Sequence, residues 1–363
     1  MSDPTLVRPL PYEPSFEYPE KDEDATVAEL SQTVLGMART MADHTGHATR
    51  SVHAKSHGIL FGVLHVLPLP PQLAQGLFAE PHDYRVIMRI SAPPAEELPD
   101  NVSTPRGLAL KLVGVTGERL PGSEAQTTQD FLMVNGPVFS RPGPAGFLKD
   151  VKLLATTTDK APRAKQALSA LLRGTEKVLE AVGGGSGTLK SLGGHPQTHP
   201  LGETYLSQVP ILFGQYMAKL SLAPVSPSLM ALKDKVIADT SSPDYLRHAV
   251  QGFFSETTMP VEWELRVQLC TDIGKMPVED ASVQWPEDES PFVAVARLVF
   301  PPQPGWTEQQ ATQVDEGMSF NPWHGITAHR PLGAVMRARR AVYAASAGFR
   351  SQFNGCPLHE PKS

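Results

Sequence analysis

The sequence predicts an α+β protein: an antiparallel β-barrel with helices around it. Three observations lead there. Seven segments rich in β-branched, aliphatic and aromatic residues run through the middle of the chain, two of them with clean alternation. Long, proline-containing loops join them, and closing such strands into a barrel removes exposed edges. An alanine-rich stretch near the C-terminus has the composition of a helix.

Taken in order, residues 1–26 carry Pro4, Pro9, Pro11, Pro14 and Pro19, which favours an extended arm on the surface or on a neighbouring subunit. Next, Val27, Leu30, Val34, Met37 and Met41 fall at helical spacing and predict an amphipathic helix ending near Asp43. Strands are expected at 59–66, 84–91, 107–115, 130–135 and 216–224, and the two that alternate most cleanly at 261–269 and 292–300. Residues 160–182 read as a helix stopped by Gly183, Gly184 and Gly185, and the stretch from there to Gly202 as a mobile loop with His195 and His199 solvated. Trp263, Trp285 and Trp306 read as packing residues. Residues 331–350 predict the C-terminal helix, so 27–352 form one unit and 353–363 a tail.

Composition narrows the function. A net charge of −6 gives no broad basic surface, which argues against a nucleic-acid partner. Cys270 and Cys356 lie far apart without a Cys-x-x-Cys spacing, so neither a disulfide framework nor a cysteine-ligated metal is indicated. The N-terminus lacks a signal peptide's basic start and apolar core, and no apolar run approaches the roughly 20 residues of a membrane span. A soluble, cytoplasmic protein is expected. The Gly-rich GGGSG lacks the flanking strand and the Lys-Ser/Thr of a phosphate loop.

Two clusters could carry chemistry. On the C-terminal helix Arg339 and Tyr343 are one turn apart, and Arg350 returns close to the angle of Tyr343. A phenol titrates near about 10, so binding a ferric ion as phenolate requires positive charge nearby. Spacing alone favours an ordinary amphipathic helix with a core tyrosine and solvated arginines. The second cluster is Arg50-Ser51-Val52-His53-Ala54-Lys55, just before the first strand. A histidine at such a junction is more often structural than catalytic, and His44, His47 and His57 invite a metal-site reading.

Together the pieces resemble the haem catalase superfamily in chain order, most closely its small catalase-related proteins. The order is Arg50-x-Val52-His53-Ala54-Lys55, then Arg89-Ile90-Ser91, Pro105-Arg106-Gly107, Asn135-Gly136-Pro137-Val138-Phe139 and Arg339-x-x-x-Tyr343. The resemblance covers about 40–352, with unmatched loops at 116–128 and 183–202. It implies a catalase-like barrel without the C-terminal helical domain, binding haem b. Tyr343 would be the iron ligand and Arg339 its charge partner, while Arg50, Arg89 and Arg350 would pair with the propionates. His53 would be the distal histidine, oriented by the Ser91 hydroxyl, and Asn135 the distal amide that poises peroxide. Val52 and Phe139 would border the haem, and Trp323 would pack near its edge.

The implied activity is peroxidase or catalase chemistry on hydrogen peroxide or small organic peroxides through a ferryl haem, with an unidentified electron donor. Three departures temper it: Thr104 stands where catalases carry an aspartate, Glu203 aligns loosely with a proximal histidine near Arg339, and the chain ends soon after the proximal helix. A modest peroxidase-like rate is therefore expected. Alternatives are rearrangement of fatty-acid hydroperoxides, against which Val52 stands in place of a threonine, and non-enzymatic haem binding. The arm suggests exchange between subunits of a homodimer.

Overall fold

All seven expected strands form, and their alternation decides what each face does. The computed structural model describes residues 7–155 and 197–362, apart from 94, 96 and 103. The strands are β1 (Lys55–Val66), β2 (Asp83–Ala92), β3 (Gly107–Val113), β4 (Thr128–Val134), β5 (Tyr205–Leu206), β6 (Ile211–Phe213), β7 (Tyr216–Pro224), β8 (Val261–Leu269) and β9 (Val293–Phe300). They pair in the order β5-β4-β3-β2-β1-β9-β8-β7-β6, antiparallel throughout, and a further pairing of β5 with β7 closes eight of them into a barrel with β6 appended. The two strands that sequence did not predict, β5 and β6, are two and three residues long, too short for periodicity to register.

Inward positions build the main core, with Leu60, Leu64, Leu110, Leu222, Leu265 and Phe300 fully buried. Trp263 and Trp285 are buried too. Trp306 donates from Nε1 to Ser56 Oγ at 2.8 Å.

Among the described residues four helices longer than one turn flank the barrel: α1 (Glu23–Thr45), α2 (Pro144–Ala155), α3 (Tyr245–Glu256) and α4 (Ala334–Asn354). Leu30, Val34 and Met37 of α1 meet Leu148 and Val151 of α2 and Ala338 and Val342 of α4 in one apolar cluster. Helix α1 ends at Gly46, whose φ of 72° lets its N–H bond Ala42 O at 2.8 Å, a left-handed cap without steric cost. No helix among the described residues is long and apolar enough to cross a membrane.

The arm, from Val7 on, lies along its own chain's barrel. Leu10 N donates to Cys270 O and Tyr12 N to Gln215 O, both at 2.8 Å. The Glu17 carboxylate accepts from Arg330 Nη2 at 2.8 Å, Gly333 N at 2.9 Å and Arg337 Nη1 at 3.2 Å, which ties the arm to the start of α4.

The expected helix at 160–182, and Gly183–185 and His195, lie outside the described residues. The end of the expected mobile loop does not behave as one. Residues 200–202 form a buried helical turn, and His199 is buried rather than solvated, because its ring links that turn to α3. Its Nδ1 accepts from Leu201 N and its Nε2 donates to Ala249 O, each at 3.2 Å.

His329, among Phe78, Phe131 and Phe213, is held in the same way, accepting from Leu77 N at 3.0 Å and donating to Leu212 O at 3.3 Å. Both rings accept a backbone N–H, so protonation would break a buried hydrogen bond, and burial pushes both down to about 4. Unfolded imidazoles bind protons below their ordinary 6.5, and these two do not until about 4. Stability is therefore full above pH 6.5 and declines as pH falls toward 4, at up to about 2.7 kcal/mol per pH unit for two protons. Urea unfolding at pH 7, 6 and 5 checks this; a flat profile contradicts it.

Candidate functional site

The outward faces of β2, β3 and β4 make the floor of a cavity. Register sets Ser91 opposite Gly107 and Gly107 opposite Val134, while Arg89 faces Ala109 and Ala109 faces Leu132. Since side chains alternate, these residues share one face, and Gly107 and Ala109 leave it hollow. The opposite wall is α4, where Arg339, Val342, Tyr343, Ser346, Ala347 and Arg350 recur at helical spacing. Between them lies a cavity of about 270 Å³. Arg50, Ser51, Val52 and His53, from the segment between α1 and β1, line it, as do Trp323 and His324.

His53 sits at the junction with φ of 56°, a left-handed conformation that is rare for a non-glycine residue. Two contacts hold it there. Its carbonyl accepts from Arg89 Nη2 at 2.9 Å, and its Nδ1 lies 3.2 Å from Ser91 Oγ. The imidazole rests on Gly107, where an added Cβ would stand 2.4 Å from Cε1. Burial, reinforced by Arg89, Arg339 and Arg50, pushes its pKa down to about 3, so the ring stays neutral across the ordinary pH range.

One end of the cavity is cationic. Arg50 donates to Val314 O at 2.9 Å and Met318 O at 3.0 Å, and Arg350 donates to Glu316 O and Met318 O, both at 2.8 Å. These carbonyls belong to a π-helical turn, Thr312–Glu316, and the loop after it. Arg89 pairs with Asp315, whose other carboxylate oxygen accepts from Ser56 Oγ at 2.6 Å. Burial tends to raise the Asp315 pKa, but Arg89 and Arg50 hold it below the usual carboxylate range. Burial and the neighbouring Arg89 and Arg350 also push Arg50 well below its usual value. Counting Arg339 and Arg340, five arginines and no carboxylate line the cavity among the described residues, a lining that favours an anionic group.

The other end is apolar. A contiguous chamber of about 340 Å³ shares Ser51, Val52, His53, Arg339 and Tyr343 with the first. Leu30, Met37, Phe139, Phe147, Val151 and Val335 line the rest. Phe139 and Phe147 pack with ring centroids 5.0 Å apart, and the Arg339 guanidinium lies 5.8 Å from the Phe139 centroid.

Nine of the ten residues expected at the site line one or both chambers: His53, Ser91, Arg50, Arg89, Arg339, Tyr343, Arg350, Val52 and Phe139. Asn135 does not. Its Oδ1 accepts from Arg106 N and its Nδ2 donates to Glu203 Oε2, both at 2.7 Å. Glu203 is also not where alignment suggested, beside Arg339; it pairs with the guanidinium of Arg106, which is 1% exposed. Thr104 lines neither chamber. His57 is fully buried, and His47 pairs with Glu316 at 3.0 Å.

Sequence reasoning missed three participants: Gly107 as the seat of His53, Asp315 as the anchor of Arg89, and Gln208, which lines both chambers. The first stood inside a recognised motif. Asp315 sits in a single π-helical turn and Gln208 in the link between β5 and β6, both too short to carry a sequence pattern.

No protein-family model and no curated protein sequence matches the chain. Solved structures do. Catalase A from Saccharomyces cerevisiae matches with a TM-score of 0.60 and 17% identity over 98% of this chain and 70% of that one. A fungal catalase matches at 0.58 and 16% over 97% of this chain and 66% of its own, and a bacterial catalase at 0.55 and 13% over 87% and 60%. The chain therefore has the catalase fold and spans about two thirds of the length of those proteins.

Proposed function

From the catalase fold and this cavity, we propose that the protein binds haem b and acts as a haem-dependent peroxidase or catalase on hydrogen peroxide or small organic peroxides. One observation carries the reading. A single hollow brings His53 on the sheet wall together with Arg339 and Tyr343 on the helix wall, between a triple-arginine end and an apolar end.

The residues present fit the group. Haem is flat and amphipathic, with two carboxylates on one edge; Arg50, Arg89 and Arg350 would hold those, and Val335, Phe139 and Phe147 the apolar edge. Ser51 Oγ, 1% exposed, has no hydrogen-bond partner among the described residues, as expected of a wall built to face a bound group. Tyr343 would ligate the iron, with Arg339 one turn before it on the same face of α4. Bound there, haem supplies an iron centre that takes oxidising equivalents from peroxide and passes them to a donor.

His53 handles the proton. In the tautomer whose Nδ1–H donates to the Ser91 hydroxyl 3.2 Å away, Nε2 keeps its lone pair and would take a proton from peroxide and return it to the departing oxygen. The Ser91 hydroxyl, 3.2 Å from Nδ1, orients the ring, and Gly107 sets its depth.

An absorption spectrum tests the proposal. The wild type is expected to take up haem with the band pattern of tyrosinate-ligated ferric iron, and Tyr343→Phe to lose that pattern. If the wild type shows no haem band after reconstitution, the reading is wrong. A second expectation concerns Gly107→Ala, whose new methyl would collide with the imidazole. Peroxide-dependent donor oxidation is expected to fall roughly 10²-fold with haem retained, the scale of an ångström-sized misplacement. An unchanged rate in stopped-flow assays would show that the seat does not matter.

The apolar chamber supports a second reading, rearrangement of fatty-acid hydroperoxides. It predicts an isomerised lipid product formed without consumption of a donor, whereas the first predicts oxidised donor and the reduced lipid alcohol.

A further inference from the structure

Resting on the haem reading, we propose that the amide beside His53 that orients peroxide belongs to Gln208, with the Ser51 hydroxyl as its companion, and that Asn135 braces the wall through Glu203.

Asn135 is committed elsewhere. Both polar atoms of its amide are used at 2.7 Å, one by Arg106 N and one by Glu203. Glu203 is itself fixed by Arg106 Nε at 3.0 Å and by Thr198 Oγ1. Turning the Asn135 amide into the cavity would break two hydrogen bonds and leave the Arg106 backbone N–H and a Glu203 oxygen short of a partner.

Gln208 lines the hollow that Asn135 does not reach. It is 7% exposed and lines both chambers that His53 lines. Its Nε2 donates to Val138 O and would lie 3.7 Å from a Cβ on Gly136, so the amide sits beneath the turn that Asn135 begins. Only one of its two N–H groups is used in that bond, the one hydrogen bond its side chain makes among the described residues. The second N–H and Oε1 remain for a ligand.

Backbone conformation supports the assignment. Among the described residues three that are not glycine have φ in the left-handed region, and two of them, His53 at 56° and Gln208 at 60°, line this hollow. Such conformations persist where surrounding structure enforces them, and they cluster where a side chain must be aimed. Ser51 adds a buried hydroxyl that lacks a partner and borders the same two chambers.

The test uses fluoride, a small ferric-haem ligand stabilised by hydrogen-bond donors on the distal side. Haem-loaded wild type, Gln208→Met, Gln208→Gly and Asn135→Ala are titrated by absorption, and their melting temperatures are measured. The glycine variant removes the amide while accepting the left-handed backbone, so a folding defect in the methionine variant does not decide the matter. Both Gln208 variants are expected to bind fluoride roughly tenfold more weakly, the size of one lost hydrogen bond to a charged ligand, and to raise the KM for hydrogen peroxide. Asn135→Ala is expected to keep fluoride affinity within about twofold and to lower the melting temperature. Fluoride affinity that falls in Asn135→Ala and not in the Gln208 variants overturns the proposal while leaving the haem reading intact. Absence of a haem band in the wild type overturns both.

Discussion

Replacing His53 by alanine is expected to leave the haem absorption band in place and to lower peroxide-dependent donor oxidation by about 10²–10⁴-fold, the usual contribution of a positioned acid–base group. The band survives because Tyr343, Arg339 and the three arginines at the cationic end are untouched. The rate falls because, among the described residues, the sheet wall offers no other imidazole: His324, the second histidine at the cavity, lies on the loop before α4 with Nδ1 3.3 Å from Asp130 Oδ2. His324→Ala is the matching control, expected to keep the rate. Because His53 is held neutral down to about 3, the wild-type rate should show no acid limb near 6.5. Its acid limb should instead coincide with loss of secondary structure. A wild type that binds haem and turns nothing over would mark a non-enzymatic binder, and an unchanged rate in His53→Ala would remove the acid–base role.

The largest loss of stability is expected from Lys111→Met. Lys111 and Asp130 stand opposite each other on β3 and β4, both side chains fully buried, with Nζ donating to the carboxylate at 2.7 and 2.9 Å. Glu360, from the C-terminal tail, accepts from the same ammonium at 2.6 Å, and Asn321 N donates to Asp130 at 2.9 Å. Burial would raise the Asp130 pKa, but Lys111 and His324 hold it below the usual carboxylate range. Removing the ammonium strands a buried charge, which costs about 3–5 kcal/mol. Glu360, 17% exposed, can turn toward water, whereas Asp130 cannot. The double variant Lys111→Met/Asp130→Leu should recover much of the loss, since a packed apolar pair substitutes well for a buried ion pair. Equilibrium urea unfolding reads both, and a single-variant loss under about 1 kcal/mol would contradict the argument.

What was legible in the sequence was local. Trp263, Leu265 and Val267 alternate inward on β8, so period located the strands, and alanine-rich composition located α4, whereas the face of α4 that carries Arg339 and Tyr343 was marked by the resemblance and not by spacing. Helices α2 and α3 escaped because each is 12 residues long with an internal glycine, Gly146 and Gly252, which weakens the pattern. The orientation of Asn135 escaped for a different reason. It is set by Glu203, 68 residues away, through a bond that exists only once β4 and β5 are side by side. Gln208 likewise reaches the hollow only because the barrel closes.

That closure is slender. Strand β5 joins β4 through the single pair Val134 and Leu206, and β7 through two pairs, while β1 and β2 share a ladder of ten. Amide protons along Tyr205–Ser207 should therefore exchange with solvent sooner than those at the centre of β1 or β2. Val134, Ser207 and Gln208 also line the hollow, so a group bound in it would lean on this seam. A bound group would thus act as a clasp on the barrel, and deuterium uptake at the seam would be a label-free gauge of occupancy.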